Sequence, residues 1–245
     1  MHVLSAVELL DVWEYGLYRP QAQRAVELLA VAYPETSRDS LAALSIGQRD
    51  AKLLTLREEL WGSRMAALVV CPGCRDQLEL ALDTREMLSE APAQQPNEIP
   101  LNIAGFSVIF RLPTSLDVAE AASRASDPET CRSLILHRCL LSSQQGDAPV
   151  DSDELPPEVI TELAKAMAEA DPLADIQLAL SCPSCEQKWR AAFDIVSFLW
   201  TEIEVWAWRI LTDVHTLARA YGWRERDVLN LSPTRRQFYL EMVGA

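Results

Sequence analysis

The sequence predicts an α+β fold that is mainly α-helical, with helical N- and C-terminal parts around a small antiparallel β region. Three observations predict it. Apolar residues recur at three- and four-residue steps in both terminal parts of the 245-residue chain. Strand-like segments are confined to the middle. Four of those segments flank, in pairs, two nearly identical turns, Cys71-Pro72-Gly73-Cys74 and Cys182-Pro183-Ser184-Cys185.

Residues 3–33 carry helical periodicity in two helices that separate near Tyr18-Arg19-Pro20. Thr36 or Ser37 can cap the next helix, which opens at Arg38-Asp39-Ser40-Leu41 and is expected to break at Gly47. Arg49 to Trp61 reads as a further helix with Leu53, Leu56 and Leu60 on one face, ended by Gly62. Residues 90–99, with Pro92, Pro96 and Pro100 around them, read as a loop. A hairpin is expected from Leu101-Asn102-Ile103 through Ala104-Gly105 to Phe106–Leu112. Helices follow over 116–125, around Cys131–Leu141 and over Glu158–Ala170, with a loop from Gly146 to Pro157. In the last part Val196, Leu199, Ile203, Trp206, Ile210, Val214, Leu217 and Tyr221 mark an amphipathic helix of about seven turns, closed by Gly222. Ser232-Pro233 opens a short final helix.

The two cysteine turns are the strongest chemical signal. Each lies between a strand-like run (Ala66–Val70, Leu178–Ser181) and a second one that ends in Asp83 or Asp194. Two residues between cysteines let both sulfurs converge on one ion; Pro72 and Pro183 preset the turn, and Gly73 is expected to tolerate a tight backbone. Four thiolates at tetrahedral geometry are what zinc prefers in a structural role, so Cys71, Cys74, Cys182 and Cys185 are read as one zinc-ribbon-like site. Closing the loop between the half-sites costs about 4 kcal/mol by the logarithmic rule. Structural zinc in small peptides is worth about 10–16 kcal/mol, so one ion suffices to hold both hairpins.

Three alternatives compete. A disulfide pair needs an oxidising compartment. A dithiol redox site needs its Cys-x-x-Cys at a helix N-terminus, whereas a strand follows each pair here. A catalytic zinc keeps an open position, and the His-x-Glu with Pro-Cys-x-x-Cys signature of zinc deaminases is absent. Cys131 and Cys139 sit on a helical segment, do not fit the knuckle spacing and read as free cysteines; His137 beside them reads as structural.

The formal net charge is −14, and a closed four-thiolate zinc site adds roughly two more negative charges. That field repels phosphate backbones and makes nucleic acid an unlikely partner. Acidity concentrates at Asp147, Asp151, Asp153, Glu154, Glu158, Glu162, Glu169, Asp171 and Asp175, with Lys165 the one basic residue among them; a solvated face and loop explain it. The N-terminus lacks the pattern of a secretory signal and no stretch is apolar enough to span a bilayer, so a cytoplasmic location is expected. Only His2, His137 and His215 offer imidazoles, the glycines are dispersed, and no Gly-x-Ser-x-Gly elbow occurs. The chain is therefore not expected to be an enzyme.

At the C-terminal end, Phe198–Ile203 leads to Val214-His215-Thr216-Leu217-Ala218-Arg219-Ala220-Tyr221-Gly222-Trp223, then Leu229, Leu231-Ser232, Arg235-Arg236 and Tyr239-Leu240. With Ile46-Gly47-Gln48-Arg49-Asp50-Ala51 and the two cysteine turns, these residues resemble a bacterial group similar to the T4-type phage baseplate protein family. The resemblance implies a structural or assembly role of the baseplate or hub type in a phage-tail-like contractile injection system, with tail and baseplate proteins as partners and no catalysis. Trp200, Trp206, Trp208 and Trp223, with Arg235 and Arg236, are the candidate partner-binding residues; core packing competes as the reading of the tryptophans. The competing functions are a zinc-ribbon adaptor or regulatory protein that binds another protein or nucleic acid, and a thiol oxidoreductase. The expected organisation is an N-terminal helical region 1–65, a two-hairpin region 66–86 with 176–195, an insert 87–175, and a Trp-rich helical region 196–245.

Overall fold

The computed structural model describes residues 1–92 and 96–244, so residues 93–95 of the expected 90–99 loop lie outside the described residues. By internal contacts the chain divides into two units, Met1–Thr36 with the chain from Val196 onward, and Ser37–Ile195. The architecture is the mainly helical α+β class read from the sequence, with small antiparallel sheets.

The first unit begins with α1 (Ala6–Gly16), where Ser5 and Glu8 form a capping box, and α2 (Gln21–Ala32), which starts directly after Pro20. Ala25, Leu28, Leu29 and Ala32 of α2 are fully buried at the three- and four-residue steps seen in the sequence.

The second unit opens with α3 (Arg38–Ala42), capped by Ser37, and α4 (Ile46–Trp61), capped by Ser45 and ended by Gly62 at φ 87°. The expected break at Gly47 is corrected: the interruption falls at residues 43–45, and Gly47 lies in the first turn of α4. Then β1 (Arg64–Val70) pairs antiparallel with β2 (Gln77–Asp83). The short α5 (Thr84–Leu88) follows, with Asp83 accepting from the Arg85 amide at its start.

Next, β3 (Ile99–Ile103) and β4 (Phe106–Phe110) form the expected hairpin, with Ala104 and Gly105 both at positive φ in the two-residue turn. Pro100 belongs to β3 rather than to the loop, which is tolerable because β3 is an edge strand. Two helices follow, α6 (Ser115–Arg124) and α7 (Pro128–Cys139). The helix expected to reach Leu141 ends at Cys139. Leu140–Gln145 form β5 instead, which pairs with β4, and Ala148–Pro149 form a short β6 inside the expected loop. After α8 (Pro157–Ala170) and a 3₁₀ turn at Pro172–Asp175, β7 (Ile176–Ser181) pairs with β8 (Lys188–Phe193).

The core of this unit is built on alternation: Phe106, Val108 and Phe110 point from β4 into a cluster with Leu136 and Cys139 of α7 and Val159, Leu163 and Met167 of α8. Cys139 is a buried core thiol, pushed up to about 11 by that burial, while Cys131 is half-buried. One fully buried carboxylate serves the fold here. Burial would raise the Asp117 carboxyl, but bonds from Arg111, Thr114 and Arg138 outweigh it and hold it well below the usual carboxylate range.

The chain returns to the first unit along α9 (Ile195–Tyr221), the long amphipathic helix, closed by Gly222 at φ 67°. Val196, Leu199, Ile203, Ile210, Val214 and Leu217 are buried as its spacing requires. The short α10 (Glu225–Leu229) and α11 (Pro233–Met242) complete the described chain, with Ser232 capping the latter.

Candidate metal centre

The four cysteines of the two turns meet. Their sulfurs all lie within 4.8 Å of one another, close enough to hold one metal ion. Across the two hairpins, Cys71 Sγ is 3.6 Å from Cys185 Sγ and Cys74 Sγ is 3.5 Å from Cys182 Sγ. Tetrahedral zinc with Zn–S bonds of about 2.3 Å requires sulfurs about 3.8 Å apart, so the donor set fits such an ion in both type and spacing. All four are free thiols.

The two turns are built alike. The amide of Arg75 donates to the Cys71 carbonyl at 3.0 Å, and that of Glu186 to the Cys182 carbonyl at 2.9 Å. The amides of Cys71 and Cys182 donate to the carbonyls of Asp76 and Gln187, both at 2.9 Å. In each turn the residue after the second cysteine is left-handed, Arg75 at φ 67° and Glu186 at φ 59°. Gly73 itself is not at positive φ; the left-handed conformation falls on Arg75 and Glu186. Neither residue type signals it, so sequence reasoning had nothing to find there. In both turns the first cysteine is buried and the second exposed.

The electrostatics follow from crowding. The amides of Cys74 and Gly73 donate to Cys71 and pull its thiol down to about 7. The Asp76 amide does the same for Cys74, yet burial and the neighbouring sulfurs outweigh it and push that thiol up to about 12. Cys185 is likewise raised. One thiolate forms readily, and each further one meets the charge of those before it. A divalent cation bound among the four sulfurs would remove that opposition.

The hairpins bearing these turns are anchored at their bases. Arg57 of α4, itself buried, donates to the carbonyls of Gly62 at 2.5 Å and Arg64 at 2.7 Å, fixing the corner into β1. Glu58 of α4 accepts from Thr84 at 3.0 Å and Arg85 at 2.7 Å, fixing the exit from β2. The 3₁₀ turn that precedes β7 packs along α4, and Asp171 just before it accepts from the Gly47 amide at 2.9 Å. Asp171 is therefore 1% exposed, unlike the solvated acidic face to which its sequence neighbours belong.

The aromatic candidates separate by burial. Trp200 is 5% exposed, lies over Gly16 and carries the Arg24 guanidinium 4.4 Å above its ring. Trp206 is half-buried, and Trp223 stacks on Tyr221. Arg236 is buried and paired with Asp213 at 3.1 Å, while Arg235 is exposed. Trp208 stands 61% exposed beside Val205, with its ring edge against Trp13.

His137 meets Ser152 and Asp153, a trio that invites comparison with a hydrolytic relay. Such a relay needs the carboxylate on Nδ1 and the hydroxyl on Nε2. Here Asp153 Oδ1 lies 2.7 Å and Ser152 Oγ 2.9 Å from the same Nε2, with Ser152 Oγ also 3.2 Å from Nδ1, so the carboxylate and the hydroxyl share one nitrogen and the cluster ties α7 to the turn before α8.

Fold and site together define a mainly helical protein in which two cysteine knuckles, remote in sequence, close on one another; no described helix is long and apolar enough to cross a membrane. Residues 21–200 match the family described as T4 bacteriophage base plate protein, and the chain belongs to that family. Membership carries a structural role in the phage baseplate, alongside other tail and baseplate proteins. The match takes in both knuckles and the acidic middle, and it stops before most of the C-terminal residues that carried the resemblance. No curated protein and no solved structure matches the chain.

Proposed function

We propose that this protein is a structural or assembly component, of the baseplate or hub type, of a phage-tail-like contractile injection system. The single observation that carries the reading is the family match over residues 21–200, which takes in the whole of the second unit. The protein is made in the cytoplasm, acts without catalysis and enters or helps build the tail-like particle. One structural zinc ion on Cys71, Cys74, Cys182 and Cys185 holds the two hairpins together; the spacing of the four sulfurs supports it. Among the aromatic candidates, docking falls to exposed Trp208 with Val205 on α9 and to Arg235 on α11, since the burial of Trp200 and Arg236 suits them to the core. Net charge −14 weighs against an adaptor that reads nucleic acid.

The test is quantitative mass spectrometry of sedimented tail-like particles and of the soluble lysate from the native host. Stoichiometric presence in particles makes it a baseplate component, and presence only in lysate with aborted particles on deletion makes it an assembly factor. Particles unaffected by deletion and free of the protein would refute the reading.

A further inference from the structure

The two half-sites are separated by more than a hundred residues, yet their sulfurs come within 3.5–3.6 Å. A two-stranded hairpin is a lever. Six residues of β7 between the base at Ile176 and Cys182 span about 20 Å at about 3.3 Å per residue, so a tilt of about 10° at the base moves the tip by about 3.5 Å. That displacement equals the separation of the closest sulfurs across the two hairpins. Whatever fixes the base of each hairpin therefore decides whether four sulfurs meet.

The first hairpin is fixed to α4 from both sides, by Arg57 at its entry and Glu58 at its exit. The second reaches α4 through the 3₁₀ turn at Pro172–Asp175, and the tie is Asp171: its Oδ2 accepts from the Gly47 amide at 2.9 Å, across 124 residues of sequence. The amide belongs to the first turn of α4, where backbone N–H groups have no partner within the helix and favour a negative charge. Gly47 is required for the contact, because a Cβ there would overlap Asp171 Oδ1.

Building on the metal reading above, we infer that Asp171 is a positioning residue for the thiolate site: its bond to Gly47 sets the base of the second knuckle hairpin on the same helix that carries the first, so that one ion can reach all four sulfurs. α4 is then a common strut, with the ion closing the tips and the carboxylate closing the base. The glycine that reads as a helix breaker in the sequence is the socket of this latch.

The test measures zinc release from purified holoprotein to a colorimetric chelator, well below the melting transition, with circular dichroism and gel filtration as checks on folding. Asp171→Ala and Gly47→Ala are each expected to speed release at least tenfold. Asp171→Asn, whose amide oxygen still accepts from Gly47, is expected to stay within about threefold of wild type. Val108→Ala, in the β4 core away from the latch, is expected to lower the melting temperature without changing release. If Asp171→Ala does not fold, Gly47→Ala decides alone. A folded Asp171→Ala or Gly47→Ala protein releasing zinc at the wild-type rate, or equal acceleration by Val108→Ala, overturns the latch and leaves the metal site standing. Wild-type protein that takes up neither Zn²⁺ nor Co²⁺ overturns the metal reading and this inference with it.

Discussion

Replacing Cys182 by serine removes one of four sulfurs from a cluster in which each lies within 4.8 Å of the rest. Serine offers a hydroxyl that does not ionise at neutral pH, so the proposed tetrahedral zinc site would lose its fourth anionic ligand, and its second knuckle would keep one thiol. Zinc sites of this type are worth about 10–16 kcal/mol in isolated peptides, and bringing the two half-sites together costs about 4 kcal/mol of loop entropy. The difference, roughly 6–12 kcal/mol, is as large as the whole stability of a typical domain, about 5–15 kcal/mol. The variant is therefore expected to lose its metal and, with it, the ordered state of both hairpins, which lowers and broadens the melting transition while the β4 core stays folded. Cys139→Ser is the matched control: it removes a buried sulfur that belongs to the β4–α7–α8 core and not to the cluster. It should retain one zinc per chain and lose only a few kcal/mol for a buried hydroxyl. Elemental analysis of purified protein gives the stoichiometry and calorimetry the transition. A Cys182→Ser protein that holds one zinc per chain and melts within about 2 °C of wild type would falsify the four-thiolate assignment.

Asp117 accepts bonds from Arg111, Thr114 and Arg138 while only 1% exposed; the two guanidinium groups keep access to water, so Asp117→Ala should cost about 2–3 kcal/mol for the lost charge-assisted bonds. Because the folded carboxyl sits below its unfolded value, this stability is present above about pH 4 and fades as pH falls through the folded pKa. Urea unfolding from pH 7 downward should show wild type and variant converging, and parallel curves would contradict the assignment. Glu186 is left-handed in the second knuckle; Glu186→Gly should be neutral or stabilising by up to about 1 kcal/mol, and Glu186→Val destabilising by about 1–2 kcal/mol. Thermal melts of the zinc-loaded variants check the order, and a valine variant as stable as the glycine variant would show that the turn does not need the left-handed backbone.

Helices with a continuous apolar stripe were legible from the sequence, as α2 and α9 show, because burial of one face leaves a 3.6-residue period whatever the partner. The cysteine turns were legible for a different reason: two identical spacings between strand-like runs admit few chemistries. Gly47 was misread because the rule for glycine in a helix is local, whereas its cause is a carboxylate 124 residues away. The strand β5 was missed because Ser142, Ser143, Gln144 and Gln145 carry no apolar alternation; only Ser143 is buried, and pairing with β4 supplies the structure. Asp171 was grouped with its acidic neighbours for the same want of three-dimensional context. Arg75 and Glu186 adopt left-handed backbone that neither side chain prefers, so the knuckle hydrogen bonds impose it.

The two parts of the second unit differ in what holds them. The β3–β6 sheet packs Val108 and Phe110 against α7 and α8 in a core that needs no ion. The knuckle hairpins have no such support: each is a separate two-stranded sheet, and their inward residues Leu78, Leu80, Leu178, Leu180 and Trp189 remain half-exposed. A two-stranded hairpin is marginal by itself in water. Removing the metal from folded protein with a chelator should therefore open the hairpins first. Amides of β1, β2, β7 and β8 should exchange with deuterium at least a hundredfold faster in the chelated protein, while those of β4 change little, since local opening follows local burial. Uniform loss of protection across both sheets would instead mean that the ion holds the whole unit as one cooperative body. Unchanged protection in the hairpins would mean that the anchors on α4 are sufficient and the thiolate cluster serves another purpose.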